Sequence, residues 1–305
     1  MLAYILKRLA VAVLVALTVS MITFSMIYLS GDPAVALAGE SATQQDIQRI
    51  RVAYGYDRPI PVQYASWLFR ALQGDFGQSH YLGEPVSKVI FDRLPTTMLL
   101  GCLALAFALG LSIPLGVLAA IRPNSLIDRL ALTMAVVGQA MPSFWFGLTL
   151  MLWLGVKWRV LPITGSAHWA NFVMPAIALG YYITPAVMRL TRAGMLEVLS
   201  ADYIRTARAK GLRPMTVLFK HALRNAIIPV VSLSAVQFGF MLGGSIVIET
   251  IFAINGIGFL AWESIQRADL PMMQAIVLVL SVFYIALTLV GDMLNAWLDP
   301  RIRVG

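Results

Sequence analysis

Residues 201–230 read ADYIRTARAKGLRPMTVLFKHALRNAIIPV, a charged, helix-competent segment set between two apolar runs. Asp202 is an adequate helix start, Ala207 and Ala209 favour helix, and Arg208 and Lys210 suit the negative end of the dipole. Gly211 ends that helix, since glycine just past the last turn takes the left-handed conformation that caps the final carbonyls, and Pro214 bars resumption. A second helix begins near Met215. The product is a knuckle: a short helix, a tight turn at Gly211 to Pro214, and another helix, shaped to enter a partner's groove. Its candidate contact residues are Asp202, Tyr203, Arg205, Ala207, Arg208, Lys210, Gly211, Leu212, Arg213 and Pro214. Helical spacing places Ile204, Arg208 and Gly211 on one side and Tyr203, Ala207 and Lys210 on another. The plainer alternative is a solvated basic loop.

Outward from this segment the chain turns apolar. Of 305 residues, 59% are hydrophobic and 12% charged, about half the charged share of a soluble domain. Six stretches free of Asp, Glu, Lys and Arg approach or exceed the roughly 20 residues that cross a bilayer: Leu9–Leu29, Leu94–Ile121, Leu130–Val156, Phe172–Met188, Ala226–Ile248 and Leu270–Gly291. The fold expected is therefore an all-α polytopic membrane protein with six transmembrane helices. The first stretch, preceded by Lys7 and Arg8, could be a signal peptide, but it exceeds the about 7 to 15 apolar residues of such a core and reads as a retained span. The organisation expected is an N-terminal transmembrane helix over 1–30, an external helical segment over 31–93, and a core of five spans over 94–305 with a cytoplasmic loop at 189–225.

With the amino terminus inside, inner segments hold Lys7, Arg8, Arg122, Arg129, Arg189, Arg192, Arg205, Arg208, Lys210, Arg213, Lys220, Arg224, Arg301 and Arg303, most of the basic residues. Most of the acidic ones fall outside: Asp32, Glu40, Asp46, Asp57, Asp75, Glu84, Asp92, Glu249, Glu263 and Asp269. Basic residues near span ends set orientation, so both termini are expected in the cytoplasm. The same asymmetry accounts for a pI near 9.8 without any nucleic acid. Cys102, the single cysteine, falls within the second span and reads as packing. The external connection from Ser30 to Arg93 is too long for a turn; a helix near Asp46 to Val52 and Pro59-Ile60-Pro61 suggest a small helical cap, the alternative being a passive tether.

The apolar stretches contain no ionisable side chain, the usual mark of a proton relay. Glu249 and Asp292 are placed at span edges within reach of water, and the interior polar residues are amides such as Gln139, Gln237 and Gln274. His80, His168 and His221 lie in loops without ligand spacing. Proton coupling, intramembrane proteolysis and metal chemistry thus lack their usual residues, and no GxxxxGK[ST] phosphate loop occurs. Gly239 to Ser245 contains small residues at close-packing spacing. Pro114, Pro142, Pro175, Pro185 and Pro229 free backbone groups that neighbours must satisfy, and Pro142 should break the third span. A broken helix can line a substrate cavity, so Gln139, Pro142, Ser143, Gln237 and Gly243 are candidates for a translocation path; ordinary bundle packing is the alternative for each.

Asp202-Tyr203-Ile204-Arg205-Thr206-Ala207-Arg208-Ala209-Lys210-Gly211-Leu212, with His221-Ala222-Leu223-Arg224-Asn225-Ala226 and Ile228-Pro229 beyond it, resembles the signature loop of ABC importer permeases. Over almost the whole length the chain is similar to the first permease of the dipeptide, oligopeptide, glutathione and nickel group. The matching stretches include Tyr4 to Leu9, Gly31-Asp32-Pro33-Ala34, Asp57-Arg58-Pro59, Gly74-Asp75-Phe76-Gly77, Arg93-Leu94-Pro95-Thr96, Pro142-Ser143-Phe144-Trp145, Leu242-Gly243-Gly244-Ser245 and Asn295 to Arg303. It departs at Ile254-Asn255-Gly256-Ile257-Gly258, where many relatives have Trp-Pro-Gly.

The resemblance implies a type I importer fold whose cytoplasmic coupling helix seats in a nucleotide-binding subunit. It implies a paralogous second permease, two ATP-binding subunits and a periplasmic solute-binding protein, in a bacterial inner membrane. ATP and Mg would be bound by the partner subunits, with no cofactor in this chain, which would be a transport subunit and not an enzyme. The cargo implied is a peptide or a similar small solute, glutathione and nickel chelates sharing the scaffold. A membrane enzyme would need convergent His, Asp or Glu at membrane depth. An ATP-independent channel would leave the knuckle without a purpose.

Overall fold

The computed structural model describes residues 2–29, 31–39 and 42–298. Ser30, Glu40, Asp299, Pro300, Arg301, Ile302 and Arg303 lie outside the described residues. Helix α1 covers Leu2–Leu29, and three short helices follow: α2 (Pro33–Ala38), α3 (Gln44–Ala53) and α4 (Ile60–Leu72). Each start has a local cause. Asp32 caps α2 by accepting from Ala34 N–H, Thr43 and Asp46 form a reciprocal capping box on α3, and Pro61 occupies the first turn of α4, where its missing N–H costs nothing.

Helix α5 (Val86–Ile121) runs on through Pro95 and Pro114. At about 54 Å it exceeds a hydrocarbon core of about 30 Å, so its turns before Leu94 extend beyond the expected span. Then come α6 (Leu126–Ala140) and α7 (Ser143–Leu150), the latter prolonged by π-helical turns over Met151–Lys157. The two axes meet at 100°. Proline disfavours α geometry in the residue before it, and Met141 and Pro142 are accordingly extended, with ψ of 126° and 136°. The break expected at Pro142 is present.

The fourth apolar run is likewise bent. A 3-10 turn at Trp169–Phe172 leads into α8 (Val173–Tyr181), which meets α9 (Thr184–Ser200) at 56°. Past α10 (Asp202–Ala209) the chain re-enters the bundle through α11 (Pro214–Thr216), π-helical turns at Val217–Leu223, and α12 (Arg224–Ala226). It then forms α13 (Ile228–Phe252), a short α14 (Ile257–Gln266) and α15 (Leu270–Leu298). Among the described residues four helices are long and apolar enough to cross a membrane, or up to six spans if each bent pair counts as one.

The core gathers around α5, α8, α9 and α13, where Leu100, Ala104, Ala108, Ala178, Leu179, Val187, Phe238 and Phe252 are buried together. Within Gly239 to Ser245 the surroundings differ by position. Gly239 is packed so closely that a Cβ would stand 2.6 Å from the Tyr284 ring of α15, whereas Gly243 faces open space. Arg8 pairs with Asp292 at 2.7 Å, so the start of α1 and the end of α15 lie at one end of the bundle.

Candidate functional site: the Gly211 knuckle and the helices that support it

Ala201, with ψ of 149°, breaks the chain out of α9 and starts α10. Gly211 has φ of +75°. Its N–H donates to Arg208 O at 2.9 Å and Leu212 N–H donates to Ala207 O at 3.3 Å, the two bonds of a Schellman cap. A side chain at Gly211 would meet no neighbour within 4 Å. Its requirement for glycine is therefore conformational rather than steric.

Ile204 and Ala207 turn inward, the former with no exposed surface, and pack with Val117 and Ala120 of α5, Met195 of α9, and Val217, Ala222 and Ala226. This corrects the expected faces: Ile204 and Ala207, expected on different sides of the helix, share one buried stripe, because burial of the two apolar side chains sets the orientation. Asp202, Tyr203, Arg205, Arg208, Lys210, Gly211, Leu212, Arg213 and Pro214 are exposed. Tyr203 Oη accepts from Asn225 Nδ2 at 2.9 Å, tying α10 to α12. Beyond the cap, Leu212, Met215 and Phe219 are exposed apolar side chains beside Arg208, Lys210 and Arg213. Charge and apolar surface meet there, the composition of a docking face.

A buried ion pair ties α9, the helix before the knuckle, to α6. Arg192 of α9 donates through Nε and a terminal nitrogen to the two carboxylate oxygens of Asp128 at 2.6 and 2.7 Å, and Asp128 is 2% exposed. Asn124 N–H gives the same carboxylate a third bond at 2.9 Å. The two residues are 64 positions apart, so no local pattern announces the pair.

The candidate path residues occupy two places. Gln139, Pro142 and Ser143 ride the bend between α6 and α7, while Gln237 and Gly243 lie on α13. Gln139, Pro142 and Gly243 are exposed, and Ser143 and Gln237 are half-buried.

Glu249 requires a second correction. It does not sit at a span edge within reach of water; α13 continues past it to Phe252 and leaves it wholly buried. Its carboxylate accepts from Thr97 Oγ1 of α5 at 2.8 Å and from Phe259 N–H in the first turn of α14 at 3.0 Å. A carboxylate at a helix start complements the dipole and the free N–H groups there. Asp292 does sit near a helix end, 21% exposed, in its pair with Arg8. Asp269 is buried and receives Ser79 Oγ and, at 3.2 Å, His80 N–H, fastening the 78–85 turn to the start of α15. His168 and His221 are distant from any ligand-like cluster; no group of three or more His, Cys, Asp or Glu among the described residues could hold a metal.

Comparison with known proteins agrees with this architecture. Residues 112–304 match the family described as binding-protein-dependent transport system inner membrane component, and residues 1–101 match its N-terminal counterpart. The glutathione transport system permease protein GsiC of Salmonella typhimurium is 40% identical over 304 residues, covering 99% of each chain. Its Escherichia coli K12 relative is 39% identical with the same coverage. Among solved structures, the MetNI methionine ABC transporter in an inward-facing form superposes with a TM-score of 0.57 at 17% identity, over 69% of this chain and 96% of that one.

The chain belongs to the family of inner membrane components of binding-protein-dependent transport systems. It is a multi-pass transport subunit of an ABC importer with the permease fold, and ATP hydrolysis resides in a separate subunit. Such a subunit works in general with another permease, ATPases and a binding protein.

Proposed function

We propose that this chain forms half of a heterodimeric translocation path and receives its driving force through residues 201–229. The capped helix carries the reading. Its inner stripe of Ile204 and Ala207 is locked into the bundle, while its outer side offers Arg208, Lys210, Leu212 and Arg213 to a partner. A rigid element anchored on one side and open on the other transmits displacement rather than absorbing it. Two ATP-binding subunits hold ATP and Mg, and one of them seats this knuckle.

A paralogous permease covers the open faces carrying Gln139, Pro142, Ser143, Gln237 and Gly243. A periplasmic binding protein delivers a peptide-like small solute, glutathione being the cargo named for the relatives. Both termini lie in the cytoplasm, a reading supported by the basic inner segments and by the Arg8–Asp292 pair at the end of the bundle where α1 starts and α15 finishes. The test is disulfide capture in the assembled complex: Leu212→Cys, in a Cys102→Ser background, should cross-link to cysteines lining the ATPase cleft. Capture only by external thiol reagents would reverse the orientation and remove the docking role. Cargo is settled by ligand binding to the partner binding protein followed by uptake in a deletion strain.

A further inference from the structure

A cavity of about 770 Å³ opens on the other end of the molecule, between the end of α1, the α3–α4 segment, the 75–80 turn and the start of α15. That volume falls within the range of ligand pockets, roughly 300 to 1,000 Å³. Nothing in the coupling account uses it. Its floor is Phe24, Leu270, Pro271 and Gln274, at the outer limits of two spans that cover Leu6–Ser25 and Leu270–Leu294. Its walls and roof carry Tyr28, Tyr56, Trp67, Arg58, Arg70 and Asp75. The cavity therefore sits at the depth of lipid headgroups.

Two observations define what it would hold. Arg58 and Arg70 make no direct ion pair among the described residues, so two cations in the lining are open to an anion. Asp75, a carboxylate in the same lining, accepts Gly77 N–H at 2.9 Å, and the Tyr and Trp faces of the lining attract an ammonium. His80 adds no cation at neutral pH, because partial burial holds its imidazole below the usual value despite the opposing pull of Asp269. An anionic acceptor group and a primary ammonium are both provided for.

Helix α4 decides the source. It buries no residue completely and exposes Ile60, Val62, Phe69 and Leu72 beside the cavity-lining Trp67 and Arg70. Amphipathic helices of this kind lie in the membrane interface, and Trp and Tyr concentrate at the same depth. We propose that this cavity binds the zwitterionic headgroup of an aminophospholipid from the outer leaflet, its phosphate held by Arg58 and Arg70 and its ammonium by Asp75 and the aromatic walls. The bound lipid would cement α1 and the external helices to α15.

The test uses the assembled importer in nanodiscs of equal parts phosphatidylethanolamine, phosphatidylcholine and phosphatidylglycerol, with retained lipid counted by native mass spectrometry after detergent exchange. Wild type should retain phosphatidylethanolamine selectively, and the Arg58→Gln/Arg70→Gln variant about tenfold less, since charge-assisted bonds to phosphate are the strong ones. A second measurement needs no variant: adding phosphatidylethanolamine to delipidated wild type should raise the melting temperature more than either other lipid. Equal retention of the three lipids, unchanged retention in the Arg58→Gln/Arg70→Gln variant, or displacement of the lipid by free dipeptide at millimolar concentration would overturn the assignment. None of these outcomes bears on the ATPase cross-link, so the lipid site and the coupling role fail separately.

Discussion

Thr97 Oγ1 donates to Glu249 at 2.8 Å and accepts from Ile257 N–H at 2.8 Å, so one hydroxyl joins α5, α13 and α14. The space around the pair is full. A Cβ on Gly256 would fall 2.5 Å from Thr97 Oγ1 and closer still to the Glu249 carboxylate. Glu249→Ala should therefore destabilise the folded subunit by about 3 kcal/mol, since it strands Thr97 and the Phe259 N–H in a buried site. Glu249→Gln, which keeps an acceptor, should cost less. Thermal melts of the purified complex check the order, and an Ala variant as stable as wild type contradicts the cap.

The Arg192–Asp128 pair makes a different prediction, because it joins α6 to α9. Removing one partner leaves a nearly buried charge, so Asp128→Asn or Arg192→Met should each cost about 2 kcal/mol, allowing for the partial exposure of Arg192. The double variant should cost less than the sum of the two. Unfolding of the four proteins in a double-mutant cycle measures that coupling directly; additive losses would mean the pair is not energetically linked.

Attachment of the 78–85 turn to α15 should depend on pH. Partial burial lowers the His80 pKa, with Asp269 acting the other way. The unfolded chain therefore takes up this proton at higher pH than the folded one, so stability is complete above the usual histidine value of about 6.5 and falls as pH drops below it. Melting temperature followed from pH 8 to pH 5 should decline through that window. His80→Gln should flatten the histidine component, and an identical decline in the variant would assign it elsewhere.

Much of this molecule is legible in order along the chain, because helices in lipid satisfy their own backbone and announce themselves by apolar length. Gly211 and Pro214 were equally legible, since one supplies a left-handed cap and the other prevents helix continuation. The illegible features are those that depend on which residues meet in space. Glu249 looks like an edge residue beside Thr250 and becomes a buried cap only because α14 folds back over it. Asp128 reads as one more cytoplasmic charge until Arg192 arrives from 64 residues away. Ile204 and Ala207 belong together because the ends of α5 and α9 receive them, a fact that spacing within an eight-residue helix does not disclose.

The claim that force enters at Gly211 is tested most directly by transport-stimulated ATP hydrolysis of the reconstituted complex carrying Gly211→Val. A β-branched residue resists the φ of +75° that the cap demands, while the open space around it spares the rest of the fold. The account predicts normal membrane insertion and assembly with stimulated hydrolysis and uptake both lost; wild-type uptake in that variant would contradict it.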